Sequence, residues 1–143
     1  MFKHDFLFQP SRWVGEGKIT FSTSPDHLRF YTRWIIEEGT SSFSQCVQSV
    51  EIQGGVQSLQ NLFFTSNVTL TSFEIEINNE LVGKVNGKGV IDDKTIAWEF
   101  RGGPLEGFEV YELQENGDYM VHAEYSSADQ FRTIIDGRIW KKS

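Results

Sequence analysis

The feature that most constrains the fold is a regular succession of turn signals with strand-like runs between them. Clusters of glycine, proline, asparagine, aspartate and serine interrupt the chain at intervals of about ten to fourteen residues. Between the clusters apolar and polar residues alternate, as in Lys94–Arg101, where Ile96, Trp98 and Phe100 share one face. Such alternation is typical of antiparallel sheet with one buried face. The pattern favours a sandwich or a barrel over βαβ units.

The strand-like runs follow one another without a long helix between them. They are Arg12–Thr23, His27–Glu38, Phe43–Gln53, Val56–Thr65, Val68–Ile77, Glu80–Ile91, Lys94–Arg101, Leu105–Gln114, Asp118–Tyr125 and Gln130–Lys141. A sheet of about ten strands is expected to close, because closure removes the exposed edges. We therefore predict an all-β fold, a single up-and-down antiparallel β-barrel that occupies residues 1–143 as one domain.

Two local features qualify this prediction. Asn86-Gly87 lies inside Glu80–Ile91 and is compatible with a hairpin turn. We prefer a glycine-rich bend within one strand, as barrels use at their corners. Lys3–Phe8 is predicted to form a short helical segment before Pro10.

The charge of the chain excludes several classes of partner. Twenty acidic residues against thirteen basic ones give a net charge of −7. Binding to nucleic acid or to an anionic membrane requires a basic patch, so neither partner is expected. No run approaches the roughly 18 apolar residues of a membrane helix. The amino terminus lacks the apolar core and cleavage site of a signal peptide, which predicts a cytoplasmic protein.

No catalytic or metal-binding motif stands out. Cys46 is the single cysteine, which excludes an intramolecular disulfide and a cysteine-based zinc site. Its place in Phe43–Gln53 predicts a buried, inert thiol. Glu74 and Glu76 lie on the polar face of a strand, where solvation is the expected role. The sequence identifies no cofactor and leaves open whether the protein is an enzyme.

The chain resembles the calycin group of barrels: lipocalins, fatty-acid-binding proteins and nitrobindin-like proteins. The likeness rests on Ser11-Arg12-Trp13-Val14-Gly15-Glu16-Gly17 in the first strand and on Arg138-Ile139-Trp140 in the last. It implies that Trp13 and Arg138 pack together at the closed end. Ser11 stands where lipocalins have glycine, and Ser24-Pro25-Asp26 leaves no room for the helical lid of the fatty-acid-binding proteins.

A second resemblance concerns the end of the chain. Ala123-Glu124-Tyr125, followed by Arg132 and Arg138, is similar to the S-type phycobiliprotein lyases, which are calycin barrels that attach bilins to antenna proteins. Nitrobindin-like proteins bind haem through a late histidine, and His122 is the histidine at a comparable place.

A barrel that binds an apolar ligand needs a closed wall with a few polar anchors. Arginine pairs carboxylates bidentately, aromatic rings stack on flat ligands, and histidine titrates near neutrality or ligates haem iron. The predicted ligand-binding residues are Tyr31, Arg33, Trp34, Trp98, Tyr111, His122, Tyr125 and Arg132. The alternative for each is an ordinary role: core packing for the aromatics and solvation for the arginines and the histidine.

The leading functional hypothesis is a barrel that binds or carries a small, largely apolar or aromatic ligand, either fatty-acid-like or tetrapyrrole-like. One alternative is a bilin lyase or isomerase. Another is an interaction module that forms a homodimer through a barrel face. Apolar residues on both faces of the last strand permit such a dimer: Phe131, Thr133, Ile135 and Ile139 alternate with Arg132, Ile134, Asp136 and Arg138.

Overall fold

A computed structural model describes residues 4–22, 26–39, 44–55, 58–101, 103–126 and 132–142. These residues form ten strands, as the sequence predicted. The strands are β1 (Ser11–Phe21), β2 (His27–Glu37), β3 (Ser44–Ile52), β4 (Leu59–Ser66), β5 (Ser72–Asn79), β6 (Gly83–Ile91), β7 (Thr95–Phe100), β8 (Glu106–Leu113), β9 (Tyr119–Ser126) and β10 (Arg132–Lys141).

The ten strands form one closed, up-and-down antiparallel barrel. Each strand pairs with its neighbours in sequence, and β10 pairs with β1 to close the ring. Asn86-Gly87 lies inside the continuous strand β6, so the predicted single strand is confirmed and the alternative hairpin does not form. Closure gives each of the ten described strands a partner on both sides, which protects them against pairing with other chains.

Side-chain alternation sets the inner and outer walls. In β2 the buried residues Phe30, Thr32, Trp34 and Ile36 alternate with exposed neighbours. At the closing seam Gly17 lies opposite Gly137. A Cβ atom on Gly17 would lie 2.2 Å from the Asp136 carbonyl oxygen and 2.7 Å from the Phe30 ring. The absence of a side chain is therefore what lets β1 and β10 approach closely here.

The amino-terminal segment, residues 4–10, closes one end of the barrel. Phe6 is fully buried, and its ring packs at 4.9–5.5 Å, centroid to centroid, against Trp13, Trp34, Tyr111 and Tyr119. Polar contacts also hold the segment. The Ser44 hydroxyl donates to the Leu7 carbonyl at 3.0 Å. His4 Nε2 donates to the carbonyl oxygen of Asp92 at 2.6 Å.

The predicted helix at Lys3–Phe8 is wrong for the residues that the structure describes. Residues 6–8 form a turn and no helix, and Lys3 lies outside the described part. Leu7 has φ 77°, in the left-handed region that a right-handed helix excludes. The reason is burial: the turn directs both Phe6 and Leu7 into the barrel, which a single helical turn next to Pro10 would not do.

The lipocalin-like pair of Trp13 and Arg138 does not form. Trp13 is buried inside the barrel, and its indole N–H donates to the Ser11 hydroxyl at 2.9 Å. Arg138 lies on the outer wall, with its guanidinium carbon 4.8 Å from the centre of the Trp140 ring. The two side chains are therefore on opposite faces of the wall.

Candidate functional site

A cavity of about 410 Å³ occupies the barrel on the far side of the amino-terminal segment. Pockets that hold small molecules have volumes of roughly 300–1,000 Å³. Most of the lining is apolar, with Ile19, Phe30, Val50 and Ile77 among the wall residues. Leu81 borders the cavity at the end opposite the seal and is 79% exposed, so the described residues leave this end open.

One side of the cavity carries a row of neutral polar side chains, which we call the amide ladder: Thr32, Gln48, Asn61 and Asn79. They lie on the adjacent strands β2 to β5 and are linked by hydrogen bonds. Asn79 Nδ2 donates to Asn61 Oδ1 at 2.9 Å, and Asn61 Nδ2 donates to Gln48 Oε1 at 3.0 Å. Gln48 Nε2 then donates to Thr32 Oγ1 at 3.2 Å. The ladder pairs these groups across strands but adds no charge.

The opposite side carries a buried carboxyl group, Glu109 on β8. The Tyr111 hydroxyl donates to Glu109 Oε1 at 2.7 Å, and the Tyr125 hydroxyl donates to Oε2. Gly107 makes room for this arrangement, since a Cβ atom there would lie 2.4 Å from Cδ1 of Tyr125. We call Glu109, Tyr111 and Tyr125 the carboxyl triad.

Burial raises the pKa of the Glu109 carboxyl above its ordinary value, and the hydrogen bonds from Tyr125 and Tyr111 oppose that shift. The Trp98 indole N–H also lowers the pKa of Glu109, although no hydrogen bond of ordinary geometry joins the two groups. Burial also raises the pKa of both tyrosines, and the neighbouring Glu109 carboxylate adds to that increase. The tyrosine hydroxyls therefore remain donors.

Aromatic rings form the floor of the cavity above Phe6. Trp98 stacks on Tyr111 with centroids 5.0 Å apart, and Trp34 stacks on Phe63 at 5.2 Å. Trp34 and Tyr111 also line the cavity. The indole N–H of Trp34 is buried and has no hydrogen-bond partner among the described residues. An aromatic floor of this kind suits hydrophobic or aromatic ligands.

The structure brings four of the predicted ligand-binding residues together inside the barrel. Trp34, Tyr111 and Tyr125 line the cavity, and Trp98 lies beneath it against Tyr111. These residues come from β2, β7, β8 and β9, so the fold, and not proximity in the sequence, assembles them.

The other four predicted residues lie on the outer wall. Tyr31 and Arg33 are exposed and alternate with the inward-facing Thr32 and Trp34. Arg132 is also exposed and pairs with Glu124 at 3.8 Å. Of the lyase-like residues, Tyr125 thus faces the lumen, whereas Glu124 and Arg132 meet outside it. No predicted arginine anchor reaches the cavity.

His122 belongs to an outer cluster of charged groups. Its Nδ1 lies 2.6 Å from Asp136 Oδ1, and its Nε2 lies 3.0 Å from Glu124 Oε2. The hydrogen bond to Asp136 contributes most to raising the pKa of His122, and the hydrogen bond to Glu124 contributes next. The side chain faces away from the lumen, so His122 is not placed to contact a ligand in the cavity.

Sequence reasoning missed Glu109 and the amide ladder. Glu109 lies two residues from Tyr111 in β8, so the two side chains share one face of the strand, and this shared face was the signal available in the sequence. Gln48 and Asn61 gave a weaker signal, because polar residues on a strand are more often solvated. Cys46 is buried as predicted, and burial, with Glu37 nearby, raises the pKa of its thiol to about 12.

Comparisons with known proteins do not supply a function. The sequence matches no known protein family and no curated protein. Among the residues that the structure describes, no cluster of histidine, cysteine and carboxylate side chains could hold a metal ion. The same residues include no helix with the length and apolar character needed to span a membrane.

Proposed function

We propose that this protein is a calycin-like barrel that binds or carries a small, largely apolar or aromatic molecule in its lumen. The observation that supports the proposal most directly is the cavity of about 410 Å³, with an aromatic floor, apolar walls and an end that the described residues leave open. A barrel evolved only as a packed scaffold would fill this space with side chains.

The closed end also supports the proposal. The amino-terminal segment seals the barrel with Phe6, Leu7 and His4, all of them buried. The lumen is therefore a cup with a single described opening, rather than a channel through the molecule. A cup shields the apolar part of a ligand from water while its polar part meets a few fixed groups.

A matched pair of substitutions on β10 tests the proposal. Ile135 lines the cavity, whereas its neighbour Ile134 has the opposite strand parity and does not line it. Ile135→Trp should fill the lumen and abolish binding of N-phenyl-1-naphthylamine, an uncharged fluorescent probe of apolar sites. Ile134→Trp adds the same bulk outside and should leave binding intact.

The readout is the rise in probe fluorescence on titration with each folded variant. Equal binding by the two variants would place the probe outside the lumen and would contradict the proposal. Absence of binding by the wild-type protein would contradict it as well.

A further inference from the structure

We propose that the lumen selects ligands that carry a protonated amine, or another cationic hydrogen-bond donor, on an apolar body, with Glu109 as the counter-ion. This inference rests on the proposed function and adds the chemical class of the ligand. It differs from the sequence-based expectation of an acidic ligand held by arginine.

The first argument is the charge of the cavity. Among the described residues that line it, Glu109 and Arg138 alone carry charged side chains. The Arg138 guanidinium is occupied on the outer wall, above the Trp140 ring and 3.8 Å from Asp118 Oδ2. Glu109 is therefore the one charged group directed into the described part of the lumen.

The second argument is the geometry of the carboxyl triad. Each oxygen of Glu109 accepts one tyrosine hydroxyl, Oε1 from Tyr111 and Oε2 from Tyr125. The two oxygens together have four acceptor positions, of which the tyrosines use two, so even with the Trp98 indole N–H close by at least one position stays free for a further donor. The tyrosines orient the carboxylate but do not neutralise it.

The third argument is the energetic cost of the unpaired charge. A buried carboxylate without a cationic partner is strongly disfavoured, and a positively charged partner in hydrogen-bond contact offsets this cost. The amide ladder across the cavity is neutral and its members are already linked to one another. A cationic ligand would supply the missing partner, whereas a carboxylate ligand would meet a like charge.

Three compounds with the same naphthalene body test the inference: 1-naphthylmethylamine, 1-naphthalenemethanol and 1-naphthoate. Each is titrated into the full chain by isothermal calorimetry near neutral pH. We expect the amine to bind at least about tenfold more tightly than the alcohol. We expect the naphthoate to bind most weakly.

Two variants locate the effect. Glu109→Gln keeps the size of the side chain and removes the charge, so it should erase the preference for the amine while the alcohol still binds. Glu112→Gln removes a carboxylate from the exposed face of the same strand and should keep the preference. If Glu109→Gln does not fold, the ranking of the three compounds on the wild-type protein decides.

The outcomes separate the two proposals. Equal binding of all three compounds, or a preference that survives in folded Glu109→Gln, would overturn the cationic class and leave the ligand-binding barrel standing. Absence of binding by all three would overturn both.

Discussion

Glu109 is the one buried carboxyl group among the residues that the structure describes. It is a carboxyl group inside an apolar barrel, held by two tyrosine hydroxyls and lacking a cation among the described residues. Titratable groups in such environments concentrate at functional sites, where burial and neighbouring groups tune their charge for binding or catalysis.

The raised pKa of Glu109 predicts a specific dependence of stability on pH. Between the ordinary carboxyl pKa of 4.5 and the raised folded-state pKa, the folded protein binds more protons than the unfolded one. The free energy of unfolding therefore falls as pH rises through this window. Glu109→Gln should remove this contribution and be more stable than the wild type near neutral pH. Urea denaturation at a series of pH values measures both effects, with Glu112→Gln as the control that keeps the wild-type slope.

His122 predicts a second dependence of the free energy of unfolding on pH, from 6.5 upward. Its pKa is raised by hydrogen bonds to Asp136 and Glu124, so it stabilises the fold fully below the ordinary histidine value of 6.5. That contribution is lost as pH rises through the raised pKa. Imidazole resonances followed by NMR should give His122 a midpoint above 6.5, lowered in Asp136→Asn. A midpoint at or below 6.5 in the wild type would show that His122 is not hydrogen-bonded to Asp136 and Glu124 as described.

At the scale of elements, the amino-terminal segment of residues 4–10, which we call the plug, closes one end of the barrel. Phe6 contacts four aromatic rings from β1, β2, β8 and β9, so it joins strands that do not all pair with one another. Phe6→Ala should lower the free energy of unfolding by about 3–5 kcal/mol through lost burial and a new cavity. Leu81→Ala removes an exposed side chain and should change it by less than about 0.5 kcal/mol. Similar losses in both variants would show that the plug is not anchored as described.

The strands were predictable from the sequence, and the plug was not. Alternation and turn signals indicated all ten strands, and the alternation is clearest where buried residues recur at every second position, as in β2, β5 and β7. Residues 4–10 show neither a strand nor a helix period, since only tertiary contacts with the barrel end fix their conformation.

The candidate site was predictable only in part. The predicted residues Arg33 and Trp34 are neighbours in β2, and neighbours in a strand face opposite sides. Composition alone could not decide which of the two faced inward, and a shift of one residue reverses the assignment. Packing decides it: Trp34 can stack on Phe63 inside, and Arg33 remains hydrated outside.

At the scale of the whole molecule, three features act together. Closure of β1 onto β10 removes the sheet edges, the plug closes one end, and the remaining lumen stays partly unfilled. The polar groups of the lumen are divided between the neutral amide ladder and the acidic carboxyl triad on the opposite wall. A ligand of the proposed kind would therefore meet two different polar sides, one neutral and one acidic.

The central claim is that the lumen holds a small molecule, and native mass spectrometry of protein purified from its own host tests it most directly. The wild-type protein should carry an additional small mass, and Ile135→Trp, prepared in the same way, should not. Bare protein masses for both would contradict the claim.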